Sequence, residues 1–335
     1  MDRFERRKII LDGRSNHSFS PGQYYIEGAV RGRLARKVRQ LLRRMEPVVL
    51  ITPRWSGVSR FLDDLALDLL VGEPKVHCRP LSLAPLQGRT VHESWTWLVH
   101  ALAGFCHLEV DGPVAQAVSR HGFRHVMAGL FDLSCRGPRR ALLVHGVEHL
   151  HVEARDDLFR VFEDHVRKSG PDRRVNLLFA GSVDAPSFTI RNAQRLVLID
   201  YGRNEAVEAL VEYIGPVDRT SLNDVVDLVG GVPELLAAIG DSGVVDASRS
   251  GLLRALGPLA DEVRGAVAIV SAVDGLVERL ESVFDAEVAR EEPRWDRMLV
   301  RAGLVEQASS GQARRVRVRA PMFAQLAVHG VDGLS

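Results

Sequence analysis

Residues 47–62 read Pro-Val-Val-Leu-Ile-Thr-Pro-Arg-Trp-Ser-Gly-Val-Ser-Arg-Phe-Leu, and a Leu-rich run follows them. Val48–Ile51 is an unbroken aliphatic run, the mark of a strand covered on both faces. Thr52 to Gly57 carries the turn formers Pro53 and Gly57. An amphipathic helical pattern then starts near Ser59. Strand, tight loop and helix are the local structure that this stretch predicts.

The loop has the length of a phosphate-binding turn, whose pattern is G-x-x-x-x-G-K-[ST]. Thr52 stands at the first Gly, Gly57 keeps the second, Val58 replaces the Lys and Ser59 keeps the hydroxyl. That Lys is a point charge on the β- and γ-phosphates, and an aliphatic side chain cannot supply it. A second apolar run lies within Arg139–Leu150 and reads as a parallel core strand. Where an active nucleotidase carries Asp for Mg²⁺ and then Glu, this run has His145 and Gly146; Glu148 follows two residues on and points elsewhere. A third run, Val175–Ser182, follows a helix and ends in Gly-Ser, the place of a γ-phosphate sensor. The order of the segments is intact while their charged groups are replaced.

Together these segments resemble the STAND branch of the AAA+-related P-loop ATPases, close to the archaeal and origin-recognition-type ATPases. The resemblance takes in Tyr24-Tyr25-Ile26-Glu27 as a lead-in, with Gly28 in place of an Arg, and Lys75–Ala84 as the second strand. Gly230-Gly231-Val232-Pro233 matches the G-x-P lid element, in which the family's proline faces the nucleotide base. The chain departs from the family pattern at Thr52, Trp55, Val58, His145 and Gly146. The resemblance therefore implies a P-loop NTPase-like parallel α/β core, a helical lid and a C-terminal winged-helix domain, without ATP hydrolysis.

Composition narrows the class. The 335 residues are 46% hydrophobic and 26% charged, with a formal net charge of +1, enough for two or three domains. Near-neutrality argues against coating nucleic acid by bulk charge, though not against a local basic patch. The basic residues are overwhelmingly Arg. Cys78, Cys106 and Cys135 form no C-x-x-C pair, which argues against a zinc knuckle or a disulfide framework and fits a reducing compartment. The charged N-terminus has no apolar run after it and no segment reaches membrane-span length, so a cytoplasmic protein away from membranes is expected.

Along the chain, 1–23 reads as a polar arm, 24–200 as the α/β domain, 201–245 as the lid and 246–335 as the winged helix. Helices are expected over Gly28–Arg44 and Asp156–Lys168, and the last core strand over Leu196–Ile199. Asn204 is expected to cap a helix reaching Ile214, with further helices over Leu222–Val229 and from Pro233. Gly240–Ser250 reads as a loop. Helices follow over Leu252–Leu256, Val263–Val273, Leu276–Arg290 and from Pro293 to Gly303, and then a hairpin brings Leu304–Glu306 against Arg315–Val318.

Three sets of residues are candidate sites. Ser56, Gly57 and Ser59 can cradle a phosphate through backbone N–H groups at a helix N-terminus, with Pro233 added by the resemblance. Trp55 is expected to crowd that loop. Arg294, Arg297 and Arg301 share one helix face, and Arg315, Arg317 and Arg319 alternate along the wing. Together they form a basic surface suited to duplex DNA. His145, His149 and His151 suggest a metal by spacing, but His145 ends a strand, so no metal is expected. Trp95 and Trp97 cannot share a helix face; one is expected in the core and the other at a boundary.

The reading expects a catalytically inactive pseudo-ATPase that serves as a protein-interaction scaffold or adaptor. Its partner is a protein, such as an active ATPase or an effector, and the resemblance suggests a bacterial conflict system. It needs no cofactor; ATP or ADP without Mg²⁺ is the residual ligand. One alternative is a DNA-binding regulator working through the winged helix. The other is a nucleotide-binding switch that does not hydrolyse.

Overall fold

The computed structural model describes residues 29–71, 74–106, 118, 122–134, 138–169, 174–182, 190, 193–215, 217–243, 245–286, 289–290, 292–310 and 313–329. The expected arm and the Tyr24–Glu27 lead-in lie outside these residues. By contacts the chain divides into two units. Arg33–Thr52 and Val58–Val197 belong to the first; 29–32, Pro53–Gly57 and the chain from Leu198 onward belong to the second.

The first unit is built on five parallel strands: β1 (Val48–Ile51), β2 (His77–Ser82), β3 (Arg140–His145), β4 (Val175–Gly181) and β5 (Gln194–Val197). Their order is β2-β3-β4-β1-β5, with Val48 registered on Leu178 on one side and on Gln194 on the other. Every residue of β4 is buried, as its position among the inner strands requires. A helix, α1 (Ala29–Arg43), leads into β1, and parallel neighbours need crossovers, which carry α2 (Val58–Val71) between β1 and β2, α3 (Val91–Cys106) and α4 (Phe123–Ser134) between β2 and β3, and α5 (Val152–Ser169) between β3 and β4. The core of this unit gathers Leu98, Leu102, Phe131, Phe159, Phe162 and Phe179. Phe159 and Phe162 meet Phe179 edge-on, with centroids 5.0 and 5.5 Å apart. Trp95 stacks on Phe123 at 5.7 Å, and both Trp95 and Trp97 are half-buried against the core.

Two expectations here need correction. The helix expected from Asp156 starts four residues earlier, at Val152. The last strand is Gln194–Val197 rather than Leu196–Ile199, because β1 ends at Ile51, whose partner is Val197. The apolar run 196–199 thus straddles a strand end.

The second unit is mostly helical: α6 (Arg203–Ile214), α7 (Arg219–Val229), α8 (Pro233–Ser242), α9 (Arg249–Leu256), α10 (Pro258–Ser271) and α11 (Leu276–Asp285). Then come β6 (Ala289–Arg290), α12 (Pro293–Ala302), β7 (Val305–Ser310), β8 (Ala313–Val318) and α13 (Pro321–His329). The three strands are antiparallel in the order β6-β8-β7. Asn204 lies inside α6 and does not cap it; the Gly202 N–H at the helix start donates to Glu205 Oε2 at 2.9 Å. Asp218 caps α7 by accepting from Ser221 N. The expected loop 240–250 is shorter, since α8 runs to Ser242 and Ser248 caps α9 by accepting from Gly251 N at 3.1 Å. The helix expected to reach Arg290 stops at Asp285, and Ala289–Arg290 becomes a third strand against β8. One apolar cluster, from Tyr201 to Ala327, runs through all these helices. Arg279 of α11 forks onto Asp296 at 2.8 and 3.0 Å, fixing the start of α12.

Candidate functional site: the turn after the first strand

The turn Pro53–Gly57 is held by residues far along the chain. Trp55 has φ +57°, unusual for a side chain other than Gly, and Gly57 has φ +66°. The Trp55 ring is 5% exposed, lies 5.5 Å from Phe323 of α13, and donates from Nε1 to Glu262 Oε2 at 3.3 Å. Left-handed backbone costs a large residue about 1–3 kcal/mol. Burying an indole of ~200 Å² returns about 5 kcal/mol, so the ring's packing sets the backbone. Trp55 was expected to crowd the loop; its ring instead sits in the apolar cluster beside α13.

Polar groups of the turn are also taken. Gly57 N–H donates to Glu234 Oε1 at 3.2 Å, and Glu234 N–H donates to the Trp55 carbonyl at 3.1 Å. Pro233 opens α8, and its Cβ lies 3.3 Å from where a Cβ on Gly57 would stand. Arg31, with no exposed surface, donates from Nη2 to Ser56 O at 2.8 Å and from Nε to Ile199 O at 2.7 Å. Its guanidinium also covers the Tyr201 ring at 4.7 Å.

Arg319 completes the arrangement. It forks onto Asp200 with two bonds of 2.8 Å and donates from Nη1 to the carbonyls of Arg54 at 2.6 Å and Gly303 at 3.0 Å. Burial works against its charge, but the carboxylates around it, Asp200 first and then Glu306 and Glu234, together outweigh this and its pKa is raised. Gly230 and Gly231 make room for the chain here. A Cβ on Gly230 would stand 2.0 Å from Arg319 O, and one on Gly231 1.9 Å from Tyr201 O.

Comparison with protein-family models gives no match for this chain, and comparison with curated proteins gives none. Solved structures do match. The Walker-type ATPase of Pyrococcus abyssi aligns over 89% of this chain and 95% of its own, at 13% identity and a TM-score of 0.61. Cdc6p of Pyrobaculum aerophilum aligns over 92% and 95%, at 12% identity and a TM-score of 0.53.

The chain has a P-loop ATPase fold.

In that P-loop fold, Ser59 lies exposed in the first turn of α2, next to Val58. Thr52 is buried and donates its N–H to Gly181 O at 2.8 Å. His145 ends β3 half-buried, and burial lowers its pKa, with His149 adding a smaller push the same way. Glu148 accepts from Ser182 N at 3.3 Å, tying the segment after β3 to the end of β4. Gly57 and Pro233, both assigned from the sequence to a vestigial nucleotide site, approach each other here. The sequence did not single out Glu234, because an acid in the first turn of a helix is ordinary helix chemistry. Arg31, Asp200 and Glu262 were equally unmarked, since their partners lie more than a hundred residues away or on unlabelled carbonyls.

The basic set divides. Arg294, Arg297 and Arg301 are exposed on α12, with Arg294 over the Trp295 ring at 4.4 Å. Arg317 is exposed but gives its guanidinium to Glu306, and the side chain of Arg315 lies outside what is described. Arg319 must be removed from a DNA-facing set. It lies past the end of β8, wholly buried, with its charge spent on Asp200.

Proposed function

We propose that this protein is a pseudo-ATPase that acts as a binding platform for a protein partner and does not turn over nucleotide. One observation carries the reading: the Gly57 N–H, which in a phosphate-binding turn faces the ligand's oxygens, already donates to the chain's own Glu234 carboxylate. A phosphate arriving there has to displace that carboxylate, and Val58 offers no cation in return. His145 holds the place of the Mg²⁺-binding carboxylate, and a desolvated neutral imidazole beside a second His is a poor replacement for it. These residues do not fit Mg·ATP. In a thermal-shift titration, the wild type is expected to show no change in Tm with millimolar ATP or ADP, with or without EDTA. A saturable upward shift would favour the non-hydrolysing switch. The scaffold reading further expects a stable complex recovered from cell extract at physiological salt, with a discrete partner.

A second reading rests on Arg294, Arg297 and Arg301, exposed on one face of α12, within a helix–helix–strand–helix–hairpin order that we read as a winged helix. It makes the protein a DNA-binding regulator. Its test is the triple Arg→Ala variant of these positions, which should lose specific duplex binding.

A further inference from the structure

We propose that the N-terminal rim of the five-stranded sheet is a binding surface for the phosphate backbone of a nucleic acid. The proposal concerns the first unit alone and stands independently of nucleotide turnover. The rim is continuous. His77 N–H donates to Arg139 O at 2.9 Å, and Arg140 N–H to Arg174 O at 2.8 Å. Arg139 Nη1 donates to Arg43 O at 3.0 Å, and Asn176 Nδ2 to Glu46 O at 2.8 Å. The entrances to β2, β3, β4 and β1 and the end of α1 are therefore tied side by side.

Each of these places carries a cation. Lys75 precedes β2, Arg139 precedes β3, Arg174 precedes β4, and Arg44 follows α1 on the way into β1. Lys75, Arg174 and Arg44 are exposed, and Arg139 is half-buried. The exposed Arg36 and Lys37 extend the charge along α1, a helix with no acidic residue. Among the described residues, the acid on this rim is Glu46, at 3.9 Å from a largely solvated Arg44, a contact worth little. Asp68 of α2 is bonded to Arg39 of α1.

Spacing and chemistry select the partner. Parallel strands lie about 4.8 Å apart, so the rim presents roughly one positive charge per strand spacing. That density is of the order of the one negative charge per ~3.4 Å along a nucleic-acid strand. The large apolar side chains most exposed among the described residues are Val152, Val197, Ile269, Phe284 and Val328. None of them lies on this rim, so its described residues offer no apolar anchor for a protein groove or a lipid surface to engage. In a chain of net charge +1, such clustering is segregation of charge, not an excess of it.

The test is fluorescence anisotropy of a labelled random-sequence 20-bp duplex at 50 and 200 mM salt. It compares wild type, Arg44→Glu/Lys75→Glu/Arg174→Glu, and Arg294→Glu/Arg297→Glu/Arg301→Glu, each first checked for an unchanged thermal melt. Four phosphate contacts predict that wild-type affinity falls on the order of a hundredfold between the two salts. The rim variant should bind at least tenfold more weakly at 50 mM and lose most of that salt dependence, while the α12 variant keeps it. Wild-type affinity in the rim variant, or no duplex binding by wild type at 50 mM, would overturn the proposal. So would tighter rim-dependent binding to poly-glutamate than to the duplex, which would name an acidic polypeptide instead.

Discussion

Glu234 and Gly57 are the pair on which the functional reading turns, and each can be changed without touching the sheet. Glu234→Ala releases the Gly57 N–H, and inorganic phosphate or ADP should then protect the protein in a thermal shift where the wild type shows no protection. The effect should be weak, because Val58 still supplies no charge. Trp55→Ala empties the space beside Phe323 and should destabilise the second unit by about 3–5 kcal/mol, read by chemical denaturation. Asp200→Ala strands a buried guanidinium and should cost a similar amount, about 3–5 kcal/mol. His145 gives a pH signature. Its pKa is lowered by burial from an ordinary 6.5, so the unfolded chain binds the proton more readily. Stability should therefore fall as pH drops below 6.5 towards the lowered value, and His145→Gln should flatten that part of the profile.

At the level of elements, the hairpin carries the opposite dependence. Burial raises the pKa of Glu306 on β7, and the charge of Asp200 pushes it further the same way, while Arg317 pulls it down. The folded state then holds a proton that the unfolded chain releases. This contribution to stability is fully present below the ordinary carboxylate pKa of 4.5 and is lost as pH rises through the raised value. Glu306→Gln should raise Tm by a few degrees at pH 8 and leave it unchanged near pH 4; an equal shift at both would contradict this. Elements with strong local signals were legible from the residues: β1, the helix opened by Pro233, and α12 between Pro293 and Gly303 all stand where periodicity and stop signals put them. The misplaced ends have physical causes. β5 is set by register on β1, which no local pattern encodes, and Ala289–Arg290 is a strand only because β8 pairs with it. A two-residue strand has no period to read.

For the molecule as a whole, the sequence marked the P-loop fold through the order of its segments. What it could not mark is how the turn is satisfied, because Arg31, Asp200, Glu234 and Arg319 reach it from distant parts of the chain. Arg319 illustrates the difference: alternation placed it on a wing surface, while its fork onto Asp200 makes it a buried strut. The same limit applies to the cationic rim, whose members come from four separate segments that only the sheet order brings into line. The proposal that this P-loop fold turns over no nucleotide is open to a direct test. The measurement that tests it most directly is ATP turnover by the purified protein with Mg²⁺, compared with a Gly57→Ala variant. No turnover above the no-protein control is expected in either. Measurable hydrolysis by the wild type that disappears in Gly57→Ala would contradict it.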